Sequence, residues 1–175
     1  KPDYPEAHNN LANSLSKKFN LEEAISYYEK AVQLKPEYSE AHFNLGVTLN
    51  KWNHSEQAIG HLEEAIRLNP NFAEAHIALG NILFLKNNFK TALYHFETTL
   101  KMDPNNAIAH NSLGSVLGQQ GNFEQAIAHF NTAIKINPDY AEAHLNLGLA
   151  FSVLGQDAKA IQHFKISDSI RVKSG

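Results

Sequence analysis

Histidine is the residue type in this chain whose number and spacing most clearly suggest chemistry. Ten histidines occur in 175 residues, and nine of them fall into two sets whose members recur at one constant interval. Because imidazole nitrogens bind zinc and other transition metals, these sets raise the question of a metal site. The first set is His8, His42, His76, His110 and His144, and the second is His61, His95, His129 and His163.

The spacing itself argues against a metal site. Each set contributes one residue per repeated unit, so neighbouring members are about a helix pair apart. In a helical hairpin that turns near residue 87, His76 lies opposite position 100 and not opposite His95, an offset of about 7.5 Å along the axis. Zinc needs its nitrogen ligands at about 2.0–2.1 Å. We therefore expect the first set to pack as aromatic spacers, the second to be partly exposed, the two sets not to meet, and no metal to bind.

Catalytic patterns are also missing from the sequence. There is no cysteine, no glycine-rich phosphate loop and no paired carboxylates, and the acidic residues stand singly on predicted helix surfaces. We predict that the chain is not an enzyme, has no catalytic residues and needs no cofactor.

The elements that position these residues come from a sequence repeat of constant length without insertions. The pattern Ala-His-x-x-Leu-Gly recurs, and a period of this size is typical of solenoids. The predicted repeats are 5–38, 39–72, 73–106, 107–140 and 141–174, with 1–4 as the remnant of a preceding repeat and 1–175 as one array.

Each repeat reads as two helices joined by a short turn. In the second repeat, His42, Leu45 and Leu49 share one helical face, and Pro70 ends the second helix. The turns carry Asn or Gly where a left-handed residue closes the first helix, except that the first repeat has Phe19 there. Asn20, Asn88 and Asn122 are predicted to cap the second helices.

Small residues recur where the helices must approach each other closely. Gly46, Gly80, Gly114 and Gly148 occupy one position of the first helix, and Ala24, Ala58, Ala92, Ala126 and Ala160 occupy one position of the second. Tyr28, Leu62, Phe96, Phe130 and Phe164 are predicted to fill the space between them.

This pattern resembles the tetratricopeptide repeat family over residues 5–172, and the length of the repeat equals that family's period. The resemblance implies an all-α fold, a right-handed superhelical solenoid of five helix-turn-helix units, whose first helices line a concave binding surface. The chain departs from the family pattern in having His in place of the early Trp. It also has Val172 where the other repeats have their closing proline, so the last helix is expected to run past residue 170.

The function implied is a non-catalytic scaffold that binds a peptide or helix of a partner protein along the concave face. Asparagine amides there can donate to and accept from a peptide backbone, and apolar residues in the middle repeats form a patch for anchors. The predicted site is Asn9, Asn10, Asn13, Phe43, Asn44, Val47, Ile77, Asn81, Phe84, Leu85, Asn111 and Asn146. For the asparagines, hydrogen bonding between repeats is the open alternative. For the apolar residues, the alternative is packing between first helices.

Two further functions stay open. The asparagine row resembles that of O-linked N-acetylglucosamine transferase arrays, with Asn10, Asn44 and Asn146 matching and Ala78 and Ser112 not, so the chain is alternatively the substrate-reading part of a larger enzyme. The other alternative is an assembly module that associates with itself through its last helix, where Ala158, Ile161 and Phe164 have no following helix to cover them.

Composition sets the remaining expectations about partners. The net charge is −3 and no basic run occurs, which disfavours nucleic acid. No apolar stretch is long enough to cross a bilayer, so we expect no direct membrane insertion. The lack of cysteine favours a reducing, intracellular compartment.

Overall fold

The computed structural model describes residues 4–174, which divide into two compact units with the boundary between Lys86 and Asn87. Unit 1 contains α1 (Pro5–Lys17), α2 (Leu21–Leu34), α3 (Ser39–Lys51), α4 (Ser55–Leu68) and α5 (Ala73–Leu85). Unit 2 contains α6 (Phe89–Met102), α7 (Ala107–Gln119), α8 (Phe123–Ile136), α9 (Ala141–Val153) and α10 (Asp157–Ser174). No strand occurs within residues 4–174, and the predicted all-α class is confirmed. Of the proposed remnant at residues 1–4, only Tyr4 lies within the described residues.

The odd-numbered helices are the first helices of the repeats, and they begin at residues 5, 39, 73, 107 and 141. Within unit 1, α1 pairs with α2 and α3 with α4, and α5 packs on α3 and α4. Within unit 2, α7 pairs with α8 and α9 with α10, and α6 packs on α7. The division of the chain into a single array of five repeats stays a prediction.

A left-handed residue closes each first helix, as the turn pattern predicted. The residues and their φ angles are Phe19 (59°), Asn53 (63°), Asn87 (60°), Gly121 (80°) and Gly155 (69°). The next backbone N–H then donates back to the helix that has ended, as from Asn20 to the Leu15 carbonyl at 3.1 Å. Among the three predicted caps, Asn88 accepts from the Thr91 N–H at 3.4 Å, whereas Asn20 and Asn122 do not cap. Those two predictions were wrong: Asn20 instead donates to the Glu23 carboxylate.

The small residues let the two helices of a repeat touch. A Cβ built at Gly114 would lie 2.7 Å from the Phe130 ring and 3.1 Å from the Ala126 carbonyl oxygen. Gly46 and Gly148 are packed in the same way against Leu62 and Phe164. Full burial of a side chain such as Leu62 contributes about 1.5–3 kcal/mol, so the missing Cβ makes room for a residue that stabilises the hairpin.

The last helix differs from the other second helices in length. It has 18 residues, against 14 in each of the others, and it ends at Ser174, so the predicted extension past residue 170 is confirmed. Ile161 is 53% exposed, and Ser167 is buried and donates to the Ala141 carbonyl at 2.9 Å. Among residues 4–174, no helix is both long and apolar enough to span a bilayer.

Candidate functional site

The first-helix face of unit 1 is the surface of α1, α3 and α5 that carries nine of the predicted site residues, and α3 contacts both α1 and α5. Asn10, Asn81 and Leu85 are exposed, and the other six residues are half-buried. The nine are Asn10, Asn13, Phe43, Asn44, Val47, Ile77, Asn81, Phe84 and Leu85. A tenth predicted residue, Asn9, is fully buried behind this face.

Apolar side chains form the α3–α5 half of this face. Phe43 and Val47 are one turn apart on α3, and Ile77 lies about two turns before Phe84 and Leu85 on the same side of α5. Leu85 is 75% exposed. The Phe43 ring contacts the ring of Phe72, the residue before α5, with centroids 4.8 Å apart. That contact holds one member of the patch in a fixed position.

Asparagine amides form the α1–α3 half, where they link neighbouring helices. The Asn44 side-chain amide donates to the Asn9 side-chain oxygen at 3.0 Å, and the Asn9 amide donates to the Tyr38 hydroxyl at 3.5 Å. On the same half, Asn13 accepts from the Tyr28 hydroxyl at 2.6 Å. Burial raises the pKa of Tyr38, and the Glu40 and Glu6 carboxylates add to that effect.

Unit 2 repeats this amide chain at α7 and α9. Asn146 donates to the side-chain oxygen of Asn111 at 3.0 Å and to the Ser115 hydroxyl at 3.3 Å. Asn111, which is 2% exposed, donates to the Tyr140 hydroxyl at 3.5 Å and to the Glu142 carboxylate at 3.3 Å. Burial, with a smaller contribution from Glu142, raises the pKa of Tyr140 to about 12. Asn111 and Asn146 therefore hold two first helices together.

The predicted asparagines differ in whether their amides can reach a partner at the surface. Asn9 and Asn111 are buried with their amides bonded inside the protein, so they act on the surface only through Asn44 and Asn146. This is the hydrogen bonding between repeats that the sequence had left open. Sequence reasoning missed Tyr38 and Tyr140 as partners of these amides. Also absent from the predicted site are Leu149 and Val153, which are 50% and 64% exposed and one turn apart on α9.

The expectation that the two histidine sets do not meet was wrong for three pairs. The facing Nδ1 atoms lie 3.1 Å apart in His42–His61 and 3.0 Å apart in both His110–His129 and His144–His163. The offset predicted from the sequence refers to Cα positions along the helix axes, and it leaves out the direction and length of the side chains. In each pair, Nε2 of the first histidine lies 3.0–3.1 Å from a proline carbonyl oxygen.

The other part of the histidine prediction concerned burial. The predicted partial exposure of the second set is confirmed for His61, His129 and His163, which are half-buried, and was wrong for His95, which is buried with 8% exposure. In the first set, His42, His76 and His144 are buried. Within residues 4–174, no group of three or more potential ligands could hold a metal ion. Because the facing Nδ1 atoms lie within hydrogen-bond distance across the hairpin, the histidines of these pairs act as packing residues between the two helices of a repeat.

Exposed ion pairs add one contact within the first repeat and one between the second and third repeats. Lys35 pairs with Glu6 at 3.1 Å and Lys86 with Glu56 at 2.5 Å. Such exposed pairs contribute about 0–1 kcal/mol each. They therefore add little to stability. The directional polar contacts between helices come mainly from the histidines and the asparagines.

Comparisons with known proteins agree with this architecture. Family models described as "Tetratricopeptide repeat" match residues 5–38 and 39–72, and a second model with that description matches 61–94. A model described as "TPR repeat" matches residues 80–121 and 114–155. Together the matches run from residue 5 to residue 155. No functionally curated protein matches the chain significantly by sequence.

Solved structures with a similar fold are numerous. The crystal structure of MamA is 25% identical, with a TM-score of 0.79, and the match covers 93% of this chain and 95% of MamA. YrrB, described as a TPR protein with an unusual peptide-binding site, is 24% identical, with a TM-score of 0.72 and coverage of 93% and 84%. PilF of Pseudomonas aeruginosa is 18% identical, with a TM-score of 0.85 and coverage of 94% and 75%.

Proposed function

Because the chain belongs to the tetratricopeptide repeat family, we propose that it is a non-catalytic scaffold that binds a peptide segment or helix of a partner protein. The proposed binding surface is the first-helix face of unit 1. Apolar anchors of the partner contact α3 and α5, and its backbone or polar groups contact the asparagines of α1 and α3.

The observation that carries this proposal is the exposure of apolar side chains on contacting helices. Leu85 is 75% exposed, and Val47, Ile77 and Phe84 beside it are only half-buried. Covering the exposed three-quarters of Leu85 would contribute about 1–2 kcal/mol. Micromolar binding corresponds to about 8 kcal/mol, and ordering the peptide adds to what the contacts must supply, so several apolar contacts of this size have to form together.

The amides offer orientation more than energy. Asn10 is exposed, and Asn44 uses one amide hydrogen to hold Asn9. Within the described residues, the Asn44 side-chain oxygen has no hydrogen-bond donor, so it can accept from a partner's backbone N–H. Because the Asn9 contact fixes its side chain, Asn44 loses little conformational entropy on binding.

Support for a peptide as the ligand comes from YrrB, a similar fold described as having a peptide-binding site. That likeness concerns the fold, and the choice of face in this chain rests on its own exposed residues.

The test is selection of peptides from a random phage-displayed library, followed by calorimetric measurement of their affinity. Substitution of Val47→Asn together with Leu85→Ser should weaken binding at least tenfold, since about 1.4 kcal/mol corresponds to a factor of ten. The matched control is Leu34→Ser, which changes a 46%-exposed leucine at the end of α2. Unchanged affinity in the double variant, or equal loss in the control, would exclude this face.

A further inference from the structure

Three histidine pairs join the two helices of a repeat by the same contact. In each pair the residues are 19 positions apart, the Nδ1 atoms face each other at 3.0–3.1 Å, and the ring centroids are 5.3 Å apart. One pair lies between α3 and α4, one between α7 and α8, and one between α9 and α10. The repetition shows that the contact belongs to the repeat itself.

The proline carbonyl determines which ring nitrogens carry protons. A carbonyl oxygen only accepts, so Nε2 of His42, 3.0 Å from the Pro36 oxygen, must carry a hydrogen. When His42 is neutral, its Nδ1 is therefore an acceptor. The facing Nδ1 of His61 must then be the donor, which leaves His61 Nε2 unprotonated. The same reasoning assigns His110–His129 with Pro104 and His144–His163 with Pro138.

This arrangement tolerates one extra proton and not two. A first proton binds Nε2 of the second histidine and leaves the Nδ1–H···Nδ1 hydrogen bond intact. A second proton must bind Nδ1 of the first histidine, so that two N–H groups and two positive charges face each other across the contact. We propose that the three histidine pairs are proton-binding sites that open their helix hairpins in mildly acidic solution.

The surroundings of the imidazole rings also disfavour protonation of the pairs. Burial, and then the partner imidazole, lower the pKa of His61, His129 and His163 below the ordinary value. In the α3–α4 pair, the Glu64 carboxylate acts in the opposite direction on His61, and it is itself bonded to Arg67. In the two pairs of unit 2, the partner imidazole is the charged group that acts on the second histidine.

The last histidine pair has an aromatic neighbour that in turn contacts a lysine. His163 stacks on the Phe151 ring at 5.8 Å, and the Lys159 ammonium lies 5.1 Å from the centroid of that ring. Lys159 does not contribute to the lowered pKa of His163, which comes from burial and from His144.

The first repeat supplies a natural control for the test. At the position of His61 it has Tyr27, whose ring stacks on His8 with centroids 5.7 Å apart. A tyrosine hydroxyl can donate or accept, so it also accommodates a protonated histidine. The variant His61→Tyr therefore copies an arrangement that the chain already uses, and it removes the conflict between two N–H groups.

The experiment compares urea unfolding at pH 7.5 and pH 5.0. Each proton that the unfolded chain binds and the folded chain does not lowers the folding equilibrium constant tenfold per pH unit. With an unfolded histidine pKa of about 6.5, one missing proton per pair costs about 30-fold at pH 5.0. His61→Tyr should abolish about 30-fold of the acid-induced loss. His129→Tyr and His163→Tyr should do the same in unit 2. His54→Gln, outside the pairs and exposed, should leave the loss unchanged.

A second measurement on the unaltered chain keeps the proposal testable if a variant does not fold. Nitrogen NMR at pH 7.5 should find the proton on Nε2 of His42, His110 and His144, and on Nδ1 of their partners. Both signatures, together with an acid-induced loss that the tyrosine variants suppress, support the proposal. An Nε2–H tautomer on His61, or tyrosine variants with the same pH dependence as the unaltered chain, would overturn it.

Discussion

Phe19 stands where the backbone is left-handed, and its replacement tests how the turns are built. Its φ is 59° and its side chain is 84% exposed. At the same position of the fourth and fifth repeats stand Gly121 and Gly155, with φ of 80° and 69°. A Cβ crowds the neighbouring carbonyl in this conformation, whereas glycine adopts it without strain. We therefore predict that Phe19→Gly stabilises the chain although it removes an aromatic residue.

The magnitude follows from three contributions. Relief of the left-handed strain gains about 1–2 kcal/mol. The greater freedom of glycine in the unfolded chain costs about 0.5–1 kcal/mol. Because only about a sixth of the ring is covered, its loss costs at most about 0.5 kcal/mol. The net expectation is a gain of about 0.5 kcal/mol in the free energy of unfolding. The backbone hydrogen bond from Asn20 to Leu15 is kept in the variant.

The decisive comparison is with Phe19→Ala, which removes the ring but keeps the Cβ. Urea unfolding at pH 7.5, read together with hydrogen exchange of the α1 and α2 amides, should place the glycine variant above the alanine variant by about 0.5–1 kcal/mol. Hydrogen exchange matters because repeats gain and lose structure locally. If the two variants are equally stable, or glycine is the less stable, then the turn is not strained at this residue and the reasoning fails.

Three other predictions concern packing and ionisation. Gly114→Ala should destabilise the chain by about 1–3 kcal/mol in thermal or urea unfolding, because its Cβ would meet the Phe130 ring at 2.7 Å. Its control is Gly60→Ala, which has open space around it and should stabilise the chain by about 0.5–1 kcal/mol in the same assay. Asn111→Ala should cost about 1–3 kcal/mol in the same assay, since it removes a buried amide and takes away a hydrogen-bond partner of the half-buried Asn146 and Tyr140 side chains. The Tyr140 pKa of about 12 lies above the ordinary value of 10, so its contribution to stability is complete below pH 10 and is lost as the pH rises from 10 towards 12. Absorbance at 295 nm should accordingly show a late ionisation step that Tyr140→Phe removes.

Much of the fold could be predicted because the same residue types recur at the same positions of each repeat. The helix starts, the left-handed turn residues and the small residues opposite Leu62, Phe130 and Phe164 are all set by local geometry, which one repeat suffices to show. The histidine pairs could not be predicted from Cα spacing, since their contact depends on where two side chains point. The sequence repeat therefore predicts the path of the backbone better than it predicts which side chains touch.

The candidate site was harder to predict, because exposure depends on contacts between repeats. Asn9 and Asn10 are neighbours in sequence, yet the first is buried and the second exposed. A signal was present in the constant sequence separation at which Asn9 precedes Tyr38 and Asn111 precedes Tyr140. At the same separation, Phe43 precedes Phe72. Partners of like chemistry at this separation indicate a contact between a first helix and the residue that precedes the next first helix, and the observed contacts have these pairings.

The difference between those two kinds of contact bears on where a partner would bind. Between α1 and α3, the buried amide of Asn9 is satisfied within the protein and fixes the position of Asn44. A buried amide accepts few geometries, so this link defines how the two helices sit together. Between α3 and α5, the corresponding contact is the apolar pair Phe43–Phe72, which is non-directional and leaves Val47 and Leu85 accessible. The polar link is thus suited to holding the surface in shape, and the apolar link to contacting a partner. For that reason, substitution of Leu85 should affect binding more than stability, and substitution of Asn9 should affect stability first.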